Sequence, residues 1–337
     1  MLKNKIFYLI LSLVISIFLI GLLLSRIQAR ELAQTLVNIH LPALFAYLGL
    51  GLLAAWLRAW RYRFLLHPQP ITWKDMFLTT LIRNCFDDLL PARVGSLSYI
   101  YVLNKRLSVP FETAASTFVV AFVFDFLTLG PFLALAIIIV GLGISPLSTP
   151  IWLAVSLLFF GLILAILWKL VPLCRSLLSA YQFLLKLFKA DQRKGSRHSV
   201  AKLRLTIDAL LEIQARKIYA PVFLLSLIIR LCKYISLYVL LFALLRSHGI
   251  LLAQLSFWKT ILGTTAAEIT STLPIKGLAD FGTWESAWAV AFRLMNFEAG
   301  LAIISGIGVH LITNIFEYSL GVLSILALAL PYARKNR

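Results

Sequence analysis

Hydrophobic positions along this chain gather in long unbroken runs instead of alternating with polar ones. The runs occupy 6–24, 41–56, 114–142, 151–171, 221–245 and 301–330, each close to or above the ~20 apolar residues a helix needs to cross a hydrocarbon core of ~30 Å. The pattern predicts an all-α fold, a polytopic transmembrane helix bundle. Composition agrees: 61% of the 337 residues are hydrophobic and 14% charged, too few polar groups to clothe a soluble domain. The first run follows MLKNK, is longer than the apolar stretch of a signal peptide and precedes no A-x-A site, so it is expected to stay as the first helix.

Charge changes the picture through its location. The formal net charge of +18 would suggest nucleic acid in a soluble protein. Here ten Lys and Arg against three acidic residues fall in 173–219, the chain ends RKNR, and the ISPLST loop between two runs carries no charge. Basic loops face the cytoplasm and its anionic lipids. That orientation keeps both termini cytoplasmic and delivers Arg58, Arg61 and Arg63 to the cytoplasmic end of the second helix. It leaves Arg26 and Arg30 outside. The chain reads as one domain, 1–337, with 173–219 a basic, helical cytoplasmic connecting segment. Its LRLTIDALLEI stretch either lays an apolar face on the lipid surface or forms a solvated linker.

Two segments have no spanning role in this scheme, 73–107 and 257–294. Each is apolar but interrupted: DLLPARVGS in the first and TSTLPIKGLADFGTWES in the second, both Leu-Pro followed by a basic residue and a Gly. Both are expected to be re-entrant broken helices, because irregular backbone at membrane depth is tolerated only where protein or a water-filled cavity satisfies it. Their opposite orientation fits an inverted-topology repeat with a site between the halves; a chance likeness of a few residues fits as well.

Ionisable residues within the runs cost ~2.5–3.5 kcal/mol each on insertion scales and must find partners. Asp125 is mid-run, Arg230 and Lys233 share the fifth run, and His310, Asn314 and Glu317 fall on one helical face at i, i+4 and i+7. They serve either as packing ion pairs or as contacts for substrate or protons. Arg93, Lys276, Arg230 and Lys233 could hold a phosphate, with Gly95, Gly277 and Gly282 allowing close backbone approach; Asp280 and Glu285 could instead neutralise these cations. Trp258, Trp284 and Trp288 fit an interfacial aromatic belt. Cys85, Cys174 and Cys232 lack disulfide or metal spacing. No nucleotide, metal or nucleophile motif occurs, so neither a cofactor nor enzymatic activity is expected.

The run Asn84, Leu89, Leu90, Pro91, Arg93, Gly95, followed by the intramembrane Asp125, resembles the transmembrane domain of lysylphosphatidylglycerol synthases, the flippase-like family. Pro274, Gly277, Gly282 and Glu285 resemble that family's second motif. The chain departs from the pattern at Gly95-Ser96, where Gly-Glu is usual, and at Phe122-Val123-Phe124, where an Arg commonly precedes the Asp; Asp125 is therefore expected to pair with Arg93 or another cation. The resemblance implies a bacterial plasma-membrane protein that moves an anionic or lipid-linked head group between leaflets, with Asn84 among the substrate contacts. With no aminoacyl-transferring domain following, lysylphosphatidylglycerol synthesis is not expected. The alternatives are a membrane-embedded transferase acting on polyprenyl-phosphate lipids, with Asp125 or Glu285 as base, and an accessory subunit beside a biosynthetic enzyme of the cell envelope.

Overall fold

The apolar runs fold as helices in the computed structural model of the protein, which describes residues 2–144, 169–189, 191–270, 273, 277–329 and isolated positions between 150 and 165; the side chains of 2–11, 91–93, 142–144, 170 and 194 lie outside that description. In chain order come α1 (Leu2–Leu24), α2 (Ala29–Val37), α3 (Leu41–Leu66), α4 (Trp73–Leu89), a 3-10 turn (Pro91–Leu97), α5 (Ser98–Arg106), α6 (Phe111–Leu127), α7 (Leu129–Ile144), α8 (Leu170–Leu187), α9 (Lys194–Ala215), α10 (Tyr219–Leu245), α11 (Phe257–Thr270), a second turn around Leu278–Asp280, α12 (Thr283–Leu294) and α13 (Ala299–Ala329). No strand occurs among the described residues; the fold is all-α.

Among the described residues, four segments are long and apolar enough to cross a membrane: Leu41–Leu66, Phe111–Gly141, Tyr219–His248 and Ala299–Ala329. The expected span at 151–171 falls mostly outside the described residues, as do the ISPLST loop beyond Ile144 and the RKNR end. Helices α1 and α2 meet at a 90° bend that carries Arg26 and Arg30 on its exposed surface. The connecting segment 173–219 is helical as expected, forming α8 and α9. Just after α9, Arg216 donates to the carbonyls of Phe64 and Leu65 at 2.8 Å each, satisfying carbonyls that the end of α3 leaves without intrahelical donors.

The second run does not stop at residue 56 but continues as helix to Leu66. Arg61, near the end of this helix, is completely buried; a carboxylate takes its charge, as described below. The aromatic-belt reading fails for two tryptophans. Trp288 is fully buried and Trp284 nearly so; they stack at 5.0 Å, and Trp288 stacks on Phe292 at 4.5 Å, in the core shared by α10, α12 and α13.

Both interrupted segments are helical hairpins. Thr72 caps α4 by accepting from the Asp75 N–H at 3.1 Å, and Pro91 starts the turn that ends the helix. The arms α4 and α5 have 17 and 9 residues, and α11 and α12 have 14 and 12; at ~1.5 Å per residue the longest reaches only about 25 Å, short of a ~30 Å core. The two turns touch each other, and the second also meets α4.

Gly95 makes the first turn possible. A Cβ there would lie 1.5 Å from the backbone oxygen of Phe86, so the turn folds directly against the last turn of α4. Gly95→Ala is expected to destabilise the protein by at least about 1–3 kcal/mol, the usual cost of overpacking, since a backbone atom cannot rotate aside. A Cβ at Gly49 in α3 meets nothing within 4 Å, and Gly49→Ala should be neutral or stabilising by about 0.5–1 kcal/mol. Thermal unfolding of both variants in detergent checks the contrast.

Candidate functional site

Helices α3, α4, α10 and α13 enclose a polar cavity of about 170 Å³, to which α6, α11, the second turn and α12 each add a side chain. Charged groups on its wall come from helices far apart in sequence, so each has been brought to depth by packing.

One pair is Arg61 and Asp125. Arg61 Nη1 is 2.6 Å from Asp125 Oδ1 and its Nη2 is 3.2 Å from Oδ2, a two-point contact between guanidinium and carboxylate. Nη1 also donates to Ser226 Oγ at 2.9 Å, so one guanidinium ties α3 to α6 and α10. Arg230 donates through Nε to Thr128 Oγ1 at 3.2 Å and through Nη2 to the Asp125 carbonyl, covering the break between α6 and α7. The cation expected for Asp125 is therefore Arg61. The side chain of Arg93, the other named candidate, lies outside the described residues.

Beside this pair is a cationic group. Asn84 Oδ1 accepts from Arg58 Nη1 at 2.7 Å and from Arg83 Nη1 at 3.4 Å. Arg83 is 3.7 Å from Asp87 and donates to Ser96 Oγ at 3.3 Å; Ser96 in turn donates to Asp87. The departure at Ser96 thus has a local role, since its hydroxyl links Arg83 and Asp87. The Nε atoms of Arg58 and Arg83 are buried without a partner in the protein. Arg58 makes no ion pair among the described residues, only the bond to a neutral amide.

The opposite group is acidic. Glu317 of α13 and Asp88 of α4 line the same cavity and lie close enough to interact electrostatically. Lys233 lines the same cavity and pairs with Glu268 at 2.6 Å. His310, Asn314 and Glu317 all reach the wall, as their common face requires. His310 Nδ1 is 2.7 Å from Glu285 Oε1, and its ring packs between Phe281 and Trp284 at 4.8 and 4.9 Å. Asn314 is 3% exposed, and neither amide atom has a protein partner.

Glu285 also fixes the second turn, accepting the Gly282 N–H at 2.7 Å. The turn is tightly wound: Ala279, Asp280 and Gly282 have φ of 50°, 64° and 91°, a region natural only for the glycine. A Cβ at Gly277 would sit 1.9 Å from the Phe281 oxygen. Ser16 of α1 clamps this turn, accepting from Leu278 N–H at 2.7 Å and donating to the Phe281 carbonyl at 2.9 Å. Pro274 and Lys276 lie outside the described residues.

Of the sequence candidates, Asn84, Asp125, Arg230, Lys233, His310, Asn314 and Glu317 share the cavity wall, whereas Gly95, Gly277, Gly282 and Glu285 shape the turns that abut it. Sequence reasoning missed Arg58, Arg61, Arg83, Asp88 beside Glu317, and Ser16. A signal existed for Arg83, a charge four residues before Asp87 in an apolar stretch.

A family model described as the lysylphosphatidylglycerol synthase TM region matches residues 9–321. The chain belongs to this family. That family points to a membrane protein of lipid or envelope biosynthesis or translocation, consistent with a polar cavity inside an apolar bundle. Among curated proteins and among solved structures, none matches the chain.

Buried ion pairs of this kind are strongly asymmetric in energy. Arg61→Met or Asp125→Leu alone is expected to cost about 3–5 kcal/mol by stranding a charge, while the double variant should cost far less than the sum. Thermal unfolding of the three variants in detergent provides the cycle.

Proposed function

We propose that this family member is a lipid translocase without enzymatic activity, taking the phosphate of a lipid head group into the cavity beside Arg58 and Arg83. The observation that carries the reading is that Arg58 and Arg83 line the cavity with buried Nε atoms that have no protein partner, a feature Arg61, which does not line it, shares, and that Arg58 has no carboxylate partner among the described residues. A buried guanidinium edge without an acceptor costs free energy that a phosphate oxygen recovers. At about 170 Å³ the cavity is smaller than the ~300–1,000 Å³ of a site that engulfs a whole ligand. It therefore admits the head group's anionic part and leaves the acyl chains in the bilayer. Arg230 and Lys233 extend the cationic wall.

The hairpins support a path for that head group. Arms too short to cross favour chains that enter and return on one side, so α4–α5 and α11–α12 are assigned as re-entrant, with basic loops and both termini cytoplasmic in a bacterial plasma membrane. The transferase alternative needs Asp125 or Glu285 as a base. Asp125 is held at two points by Arg61, and Glu285 is committed to Gly282 and His310, which argues against either abstracting a substrate proton.

The test is exchange of fluorescent anionic phospholipid between leaflets of reconstituted vesicles. Arg58→Gln and Arg83→Gln are each expected to slow exchange about ten- to a hundredfold, the loss of a charge-assisted hydrogen bond worth ~1.5–3 kcal/mol. Wild-type rates in folded, reconstituted variants would overturn the assignment.

A further inference from the structure

Ten Lys and Arg against three acidic residues fall in 173–219, and the described wall of the cavity includes none of them. That charge belongs to the hairpin of α8 and α9. The apolar face of LRLTIDALLEI, on α9, does not explain it, because Ile207, Leu210 and Ile213 are buried in a core shared with α3 and α6. The stretch faces protein, neither lipid nor water.

Helix α8 is divided differently, into three faces. On one, Val171, Cys174 and Leu178 pack against that same core. On a second, about a third of a turn away, Leu173, Leu177, Leu184 and Phe188 recur at i, i+4, i+11 and i+15 and are exposed, Leu177 by 62% and Phe188 by 74%. Phe188 keeps the helical register, its N–H donating to the Leu184 carbonyl at 3.0 Å, and the exposed Phe183 and Leu187 flank the stripe. The third face is polar, with Arg175, Ser179 and Lys186 exposed. Arg175 and Lys186 form no ion pair among the described residues. A helix with one open apolar face and basic residues beside it suits the plane of a lipid–water interface.

The hairpin is also held at the level of such an interface. Arg216, just after α9, is bonded to the carbonyls of Phe64 and Leu65 at the end of α3. Around the last turns of α3 three exposed tryptophans gather: Trp56 stacks on Trp73 at 5.7 Å and meets Trp60 at 5.6 Å, and the Arg63 guanidinium lies 4.6 Å over the Trp73 ring. Exposed tryptophan beside arginine marks the boundary between hydrocarbon and head groups. The open face of α8 is therefore continuous with surface that lipid already covers, and its basic neighbours select anionic head groups.

We propose that the α8–α9 hairpin docks on the anionic surface of the bilayer that holds the protein. In this arrangement α8 lies along the interface, with Leu173, Leu177, Leu184 and Phe188 among the upper acyl chains and Arg175 and Lys186 reaching lipid phosphates. The docking does not rest on the reading of the cavity as a phosphate site.

Radical footprinting of the wild-type protein, loaded at one copy per nanodisc, tests it. In discs of phosphatidylcholine mixed equally with phosphatidylglycerol, Phe183 and Phe188 are expected to be protected from oxidation. That protection should fall in phosphatidylcholine alone, and fall again in mixed discs at high salt, because the electrostatic attraction is screened. The double variant Arg175→Gln, Lys186→Gln changes only exposed side chains and should lose protection in the mixed discs as well. Ready oxidation of both phenylalanines in mixed discs would overturn the proposal and leave the face open to a soluble partner. Protection equal in both lipids, and unmoved by salt or by the double variant, would overturn it too, since a face merely sunk in hydrocarbon behaves that way. A second copy cannot supply the protection in singly loaded discs. Lipid exchange is not read, so failure here and failure of the translocase reading are distinguishable.

Discussion

The buried contact between Arg61 and Asp125 is the constraint on which the rest of the bundle depends. A lone guanidinium or carboxylate in an apolar interior would be prohibitively unstable, so neither helix can sit at its observed depth without the other. Their two-point contact fixes α3 against α6, and the bond to Ser226 adds α10. Arg230 then satisfies the Asp125 carbonyl where α6 gives way to α7. Ion pairs seldom add net stability once desolvation is counted. What this one supplies is position, because it brings polar faces of α3, α6 and α10 together beside the cavity.

Broken helices need that cavity as much as it needs them. Each hairpin leaves backbone groups at its turn without intrahelical partners. The first turn meets the difficulty by folding onto α4 at Gly95; the second does so through Ser16 and Glu285, which together engage Leu278, Phe281 and Gly282. Left-handed φ values at Ala279 and Asp280 cost of order 1–3 kcal/mol each, and the clamp from α1 and the buried Glu285 hold them in place.

Much of this was legible in the sequence, and the part that was not has a physical cause. Long apolar runs gave the helices, and the spacing of His310, Asn314 and Glu317 gave one polar face, because both depend only on local periodicity. The interruptions lie where α4 and α11 end. Partners were hidden: Arg61 is 64 residues from Asp125, and an arginine at the end of an apolar run reads equally well as a cytoplasmic anchor or as half of a buried pair. The tryptophans misled for a similar reason, since an amphipathic ring suits an interface or a core stack, and only packing decides. Ser16, an ordinary hydroxyl within an apolar helix, gave no sign of its role. Resemblance to the family pointed to the turn motifs but not to the partners, Arg61 for Asp125 and Ser96 between Arg83 and Asp87.

The cavity's charge distribution ties these elements together through α4. Arg83, Asn84, Asp87 and Asp88 follow at i, i+1, i+4 and i+5, one face of a single helix, so the cationic and acidic ends are carried by the same rigid arm. Six acidic and four basic side chains line the wall, the acids being Asp87, Asp88, Asp125, Glu268, Asp280 and Glu317 and the bases Arg58, Arg83, Arg230 and Lys233. Arg61 offsets one acid from behind. A displacement of the first hairpin would therefore move Asp87 and Asp88 together with Arg83 and Asn84 relative to Arg58.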